Sequence, residues 1–293
     1  MNSPAPSAYT RDIPFSDDDF RSIADLAQER FGLSLAESKK PLVYSRLARR
    51  LKSRQVQSFA DYLALLKRTE EEDERLELIS ALTTNVTSFF RENHHFEILQ
   101  KSLAHGLSDK VRAGGRLRIW SAGCSSGQEP FSIAMTVLTA IPEAHAKDVR
   151  ILATDIDPKI VAKARAGIYS AEEAAGVPSA LRKEWMATND PGEKTYGVAE
   201  TLKSLVTFNE LNLMNDWPFK GPFDAIFCRN VAIYFAPETQ RRLWQRMSAM
   251  LTPGGLLFIG HSERVTGPAL ENLEGVGITS YCKSRTNAQP TLQ

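Results

Sequence analysis

Apolar positions recur at helical spacing up to about residue 85, and short unbroken apolar runs replace them after residue 110. Phe15-Ser16-Asp17-Asp18-Asp19-Phe20 reads as a helix start, with Ser16 as N-cap, Asp19 at N3 and Phe15 stapled against Phe20. Phe20, Ile23, Ala24 and Ala27 carry the apolar face to Gly32. Further helices are predicted near Pro41, from Ser58 through Tyr62 and Leu65, and from about Glu71 to Leu82. The segment Thr83–Glu92 joins the parts, and its Arg91 is expected to open the next helix.

Beyond residue 116, strands alternate with helices. Predicted strands are Arg118–Ser121, Val149–Thr154, Leu205–Phe208, Phe223–Phe227 and Gly255–Ile259, with a late strand over Val276–Cys282. Helices are expected over 129–140, 158–166 and 237–251. This alternation predicts an α/β domain built on a parallel sheet with helices on both faces. The stretch 168–204 exceeds what a crossover needs and reads as a small inserted β subdomain containing a strand at Thr195–Val198. The expected organisation is a disordered N-terminus over 1–12 and a helical domain over 13–85. A linker and helix then cover 86–110, the α/β domain 111–286 and a flexible tail 287–293.

Composition narrows the function. Among 293 residues, 36 Lys and Arg face 35 Asp and Glu, so no global field attracts nucleic acid or membrane. The three cysteines are far apart and form no metal-ligand spacing. No apolar run approaches the roughly 18 residues of a membrane span, and no signal peptide is recognisable. The expectation is a cytoplasmic protein that binds no metal and inserts in no membrane. His94 and His95 are adjacent on a predicted helix, which should point them apart.

The candidate chemistry begins at Leu117–Pro130, a strand, a small-residue turn and a helix start. Such a turn in an open α/β sheet holds a nucleotide-like ligand. A dinucleotide fingerprint requires a third glycine, but Ser125 stands there between Gly123 and Gly127. Glu129 lies where a diphosphate would be repelled, whereas the ammonium or sulfonium charge of S-adenosylmethionine suits it. Asp155 ends the second strand, where a carboxylate can accept from both ribose hydroxyls. Together these features favour a methyltransferase.

The acceptor is read from the fourth strand. It continues Cys228-Arg229-Asn230-Val231-Ala232-Ile233-Tyr234 without the Asn/Asp-Pro-Pro-aromatic turn common in amino-group methyltransferases. An acidic oxygen nucleophile fits better, since a free glutamate has a pKa near about 4.3 and needs no general base. Arg91 or Tyr234 could orient such a carboxylate. The second helix clusters Arg46, Arg49, Arg50 and Arg54 beside Val43, Leu47 and Leu51. That cluster reads either as a solvated face, given the acidic run Glu70–Glu74, or as a docking surface for an acidic helix or a nucleic-acid backbone. A nucleic-acid methyltransferase using this helix is the alternative function. A non-catalytic sensor of the same cofactor is a third.

Five strings carry a family resemblance: Asn85–Glu92, Trp120–Pro130, Ala153–Asp157, Phe223–Val231 and Gly260-His261-Ser262-Glu263. They resemble the chemotaxis receptor methyltransferase family, CheR, in order from about residue 15 to 284. The resemblance implies a class I, Rossmann-like methyltransferase sheet with a helical N-terminal domain and an inserted antiparallel β subdomain. It implies methyl esterification of glutamates on cytoplasmic helices of chemoreceptors, yielding S-adenosylhomocysteine, by a protein expected to be monomeric. It also implies cofactor roles for Asn85, Thr87, Arg91, Glu129, Asp155, Asn212, Leu213, Arg229 and Asn230. Arg91 and Tyr234 match residues beside the reacting carboxylate, and Arg46, Arg49, Arg50 and Arg54 match the receptor-docking helix. One departure is the turn Met186–Lys194, which carries one glycine where tether-binding members have several. Binding of a receptor C-terminal tether peptide is therefore not expected.

Overall fold

Ser16 and Asp19 form a reciprocal capping box at the start of α1 (Asp17–Phe31), which ends at Gly32 in the left-handed conformation. Such a cap stabilises a helix by about 1 kcal/mol. Phe15 packs edge-on against Phe20 at 6.3 Å and closer to Phe59 at 4.3 Å. The computed structural model describes residues 13–83, 85–188 and 194–285. The chain divides into one unit ending at Thr84 and another beginning at Asn85.

The first unit contains α1, α2 (Lys40–Ser53), α3 (Phe59–Leu66) and α4 (Glu72–Leu82). Ile23, Leu47, Leu51, Tyr62, Leu66 and Leu78 are buried in its core. The arginines of α2 are committed to α4. Arg50 Nη2 donates to Glu74 Oε2 at 2.6 Å, and Tyr62 Oη donates to Glu74 Oε1 at 2.7 Å. Glu74, only 1% exposed, is thus paired rather than isolated. Arg54 Nη2 bonds to Glu71 Oε2 at 2.7 Å. Arg46 Nη1 reaches the carbonyls of Ala81, Leu82 and Thr83 at 3.1, 3.1 and 3.0 Å, satisfying the orphan acceptors at the end of α4. All three side chains are thus paired within the helical unit, while Arg54 remains exposed.

The second unit holds a seven-stranded sheet in the order β6-β2-β1-β7-β8-β10-β9. Its strands are β1 (Leu117–Ala122), β2 (Val149–Asp155), β6 (Val206–Glu210), β7 (Phe223–Cys228), β8 (Leu251–Ile259), β9 (Leu273–Gly277) and β10 (Ser280–Lys283). β6, β2, β1, β7 and β8 are parallel, and β10 and β9 are antiparallel. The expected single strand over Val276–Cys282 is instead a hairpin, turned at Thr279 with φ 47°. Every residue of β7 is buried, as a central parallel strand requires.

Helices α5 (His94–Ser102), α6 (Ser108–Arg112), α7 (Gln128–Ala140), α8 (Pro158–Ala166) and α12 (Pro237–Met250) also belong to this unit. The insertion contributes α9 (Ala171–Ala174), α10 (Ser179–Trp185), α11 (Glu200–Leu205) and a small antiparallel sheet. That sheet is ordered β3 (Ile168–Ser170), β5 (Thr195–Val198), β4 (Met186–Thr188). Asn189–Glu193 of the expected tether turn lie outside the described residues, as do 1–12 and 286–293. Among the described residues no helix is long and apolar enough to cross a membrane.

Candidate active site

Parallel strands end with unpaired backbone groups on one edge, and the chain gathers its polar side chains there. The turn after β1 requires glycine: Gly123 has φ 83°, and a Cβ there would lie 2.3 Å from Val231 Cγ2. The Gly123 and Cys124 amides both donate to the Thr154 carbonyl, at 2.8 and 2.9 Å, drawing the turn over the end of β2. Ser125, at φ 48°, donates its amide to Asp155 Oδ2 at 2.8 Å and its hydroxyl to the Asn85 carbonyl at 3.1 Å.

Asp155 also accepts the Asp157 amide at 3.2 Å. An ionised carboxylate accepts about four hydrogen bonds, so acceptor capacity remains on Asp155 for a ribose hydroxyl beside its backbone amides. Burial raises the Asp155 carboxyl, while the Asp157 and Ser125 amides pull it down. Asn212 and Leu213 follow β6 on the same edge, since Leu211 donates its amide to the Asp155 carbonyl at 2.8 Å. Asn212 Oδ1 accepts the Met214 amide at 2.9 Å, and Arg246 Nη1 holds the Leu213 carbonyl at 2.7 Å.

Glu129 begins α7 and is 8% exposed. Ser121 Oγ donates to its Oε1 at 2.7 Å and Arg229 Nη1 to its Oε2 at 3.0 Å. Burial raises its carboxyl, and the Arg229 charge and Ser121 hydroxyl oppose that shift. Two residues assigned separate cofactor roles are thus bonded to each other.

Arg229 also bonds to the Arg91 carbonyl through Nη2, which lies 3.4 Å from Glu92 Oε2. The segment ending β7 is in this way tied to the one carrying Arg91. Arg91 does not open a helix. Phe90 and Glu92 on either side have φ 52° and 56°, and α5 starts at His94. Arg91 Nη1 donates to the Val86 carbonyl at 3.0 Å. Thr87 is half-buried, and Tyr234 is half-buried in the 3₁₀ turn Ala232–Tyr234.

No local spacing marks Glu92 as a site residue. It accepts from His261 Nδ1 at 3.2 Å and lies 3.7 Å from His95 Nδ1. Burial would raise its carboxyl, but Arg229, His261 and His95 hold it below the usual range. His94 and His95 do not point apart: their ring centroids are 4.1 Å from each other, and one nitrogen of each lies within 4.8 Å of a Glu92 oxygen. The Arg229 guanidinium already supplies positive charge to that carboxylate, so the cluster forms part of the arginine network. Glu263, the last residue of the string Gly260–Glu263, accepts the backbone amides of Gly260, Asn230 and Ile233.

Residues 85–282 match the family described as CheR methyltransferase, SAM binding domain, and residues 18–83 match CheR methyltransferase, all-alpha domain. This chain belongs to the CheR methyltransferase family. The chain is 49% identical over 251 residues to a Rhizobium etli protein named a probable chemotaxis protein methyltransferase. That match covers 85% of this chain and 94% of its relative. Chemotaxis protein methyltransferase 2 of Pseudomonas aeruginosa is 42% identical over 96% of this chain and 98% of its own. The Escherichia coli chemotaxis protein methyltransferase is 42% identical, covering 87% of each chain. As a CheR methyltransferase, the chain is an enzyme that uses S-adenosylmethionine.

Proposed function

We propose that the chain esterifies glutamate side chains on the cytoplasmic helices of chemoreceptors, setting receptor adaptation. The observation that carries this reading is the edge of the sheet itself. There the Glu129–Arg229 pair and Asp155 adjoin a segment that presents Arg91, and the turn after β7 lacks the prolines of an amino-group methyltransferase.

Bound S-adenosylmethionine supplies an electrophilic methyl on a sulfonium. Asp155 receives the ribose hydroxyls, and Asn212, Leu213, Asn230, Thr87 and Asn85 line the same edge. Glu129 and Arg229 would hold the amino-acid end, with Arg229 fixed by Glu129 and the Arg91 carbonyl. Arg91 turns its guanidinium from the Val86 carbonyl to the acceptor carboxylate, and Tyr234 donates a second hydrogen bond. The acceptor oxygen would already be ionised when the methyl is offered to it. No proton moves, so alignment and water exclusion do the catalysis. The four arginines of α2 serve acceptor docking in this reading, with Arg49 and Arg54 exposed. A cavity of about 350 Å³ lined by Arg46, Arg49, Arg50, Ser80, Ala81 and Thr83 supports that role.

The test is methyl transfer from labelled S-adenosylmethionine into receptor cytoplasmic fragments. Base-labile label released as methanol, lost in Arg91→Ala, is expected; stable label in RNA would overturn the reading. Receptors without a C-terminal tether are the expected substrates. Calorimetric binding of an isolated tail peptide would contradict that part.

A further inference from the structure

Glu263 lies in the turn after β8, 4% exposed, and its carboxylate points back along the strand ends. Oε2 accepts the Gly260 amide at 2.5 Å and the Asn230 amide at 3.0 Å, while Oε1 accepts the Ile233 amide at 3.2 Å. β7 and β8 are neighbours, with Cys228 in register with Ile259. The carboxylate therefore closes the gap between two parallel strands at the point where each leaves the sheet. Burial raises its carboxyl, and the amides of Gly260, Asn230, Ile233 and Ala232 pull the other way.

These contacts are spread over both halves of the site. Asn230 is held at φ 58°, and a Cβ on Gly260 would meet its backbone nitrogen at 2.7 Å and Nδ2 at 2.5 Å. The next residue, Val231, fills the space over Gly123 in the cofactor turn. Ile233 precedes Tyr234 in the 3₁₀ turn, on the acceptor side. A left-handed non-glycine residue persists only where its surroundings over-determine it, and here the surroundings are Glu263 and Gly260.

We propose that Glu263 is a positioning residue for methyl transfer. Through Oε2 it fixes Asn230 and Val231 against the cofactor turn, and through Oε1 it fixes the turn that aims Tyr234 at the acceptor. The inference rests on the proposed roles of Asn230 and Tyr234. Its two oxygens divide the labour, which separates it from a carboxylate that merely fills space.

Glu263→Gln tests this division. The amide oxygen can keep the Gly260 and Asn230 bonds, but the amide nitrogen then faces the Ile233 N–H, donor against donor. The expected result is S-adenosylhomocysteine affinity within about threefold of wild type by calorimetry, with kcat for receptor methylation lower by about 10- to 100-fold, the worth of a hydrogen bond to a charged group. Combining it with Tyr234→Phe should cost no more than the larger single effect, because both act on one group. Glu263→Asp keeps the charge and shortens the reach, and should recover part of kcat.

Equal losses of cofactor affinity and kcat, or additive losses in the double variant, would overturn the proposal; so would wild-type kcat in Glu263→Gln. If Glu263→Gln does not fold, Glu263→Asp decides alone, and wild-type kcat there sinks the idea. Absence of methyl transfer by the wild-type enzyme would instead sink the proposed function, with S-adenosylhomocysteine affinity still readable.

Discussion

Arg229 Nη1 and Glu129 Oε2 meet at 3.0 Å, joining the end of β7 to the start of α7. Both are buried, so neither charge has water to fall back on. Arg229→Ala leaves the Glu129 carboxylate without its cation. The expected loss is about 3–5 kcal/mol of stability, the usual consequence of breaking a buried pair from one side. Denaturant unfolding measures it. A variant within about 0.5 kcal/mol of wild type would show that the pair adds nothing.

The α2 arginines divide in the same assay. Arg50→Ala removes the bidentate partner of buried Glu74 and is expected to destabilise the protein by about 3 kcal/mol or more. Arg49 is exposed, and Arg49→Ala is expected to change stability by less than about 0.5 kcal/mol. Its effect should appear only as weaker methylation of receptor fragments. Equal destabilisation by the two would contradict the assignment of Arg50 to the helical core.

His95 makes stability depend on pH. Burial, with Arg229 and His94 beside it, lowers its pKa from 6.5 to about 3. The unfolded chain therefore takes up a proton below 6.5 that the folded chain refuses until about 3. The stability is present above 6.5 and is lost as pH falls towards 3. One proton corresponds to about 1.4 kcal/mol per pH unit. Across pH 6 to about 4, His95→Gln should show a slope smaller by about that amount. Identical slopes for the two proteins would mean His95 is not held neutral.

Gly123→Ala should fail at the cofactor turn. Its φ of 83° and the 2.3 Å approach to Val231 Cγ2 combine strain with overlap. A loss of about 1–3 kcal/mol is expected. S-adenosylhomocysteine affinity should fall with it, because relieving the overlap moves Val231 and the neighbouring Asn230. Calorimetry and thermal unfolding together check both; an unchanged melting temperature would show the turn has slack.

What the chain reveals by itself follows how local each feature is. The Ser16–Asp19 capping box and the Ser58 cap use partners three residues away, so their spacing suffices to read them. Buried parallel strands such as Phe223–Cys228 stand out as unbroken apolar runs. The hairpin at Leu273–Lys283 does not, because Gly275 and Gly277 interrupt the alternation that would mark its first strand. β3 and β4 of the insertion are three residues each, too short to show a period. Arg91 resembles a helix start in sequence, because left-handed turns at Phe90 and Glu92 leave no compositional trace. The pairings of Arg229 with Glu129, Arg50 with Glu74 and Glu263 with the amides of Asn230 and Ile233 join positions the tertiary fold brings together. No spacing rule announces them.

Tyr169 belongs to the insertion, yet its hydroxyl donates to the Ser126 carbonyl at 2.8 Å and stands 2.7 Å from where a Gly127 Cβ would be. The insertion and the cofactor turn therefore cannot be exchanged as separate modules. Replacing the insertion together with β3 would remove the Tyr169 hydroxyl and the bond it makes to the turn. A chimera lacking it would carry its new insertion on an untrussed cofactor turn.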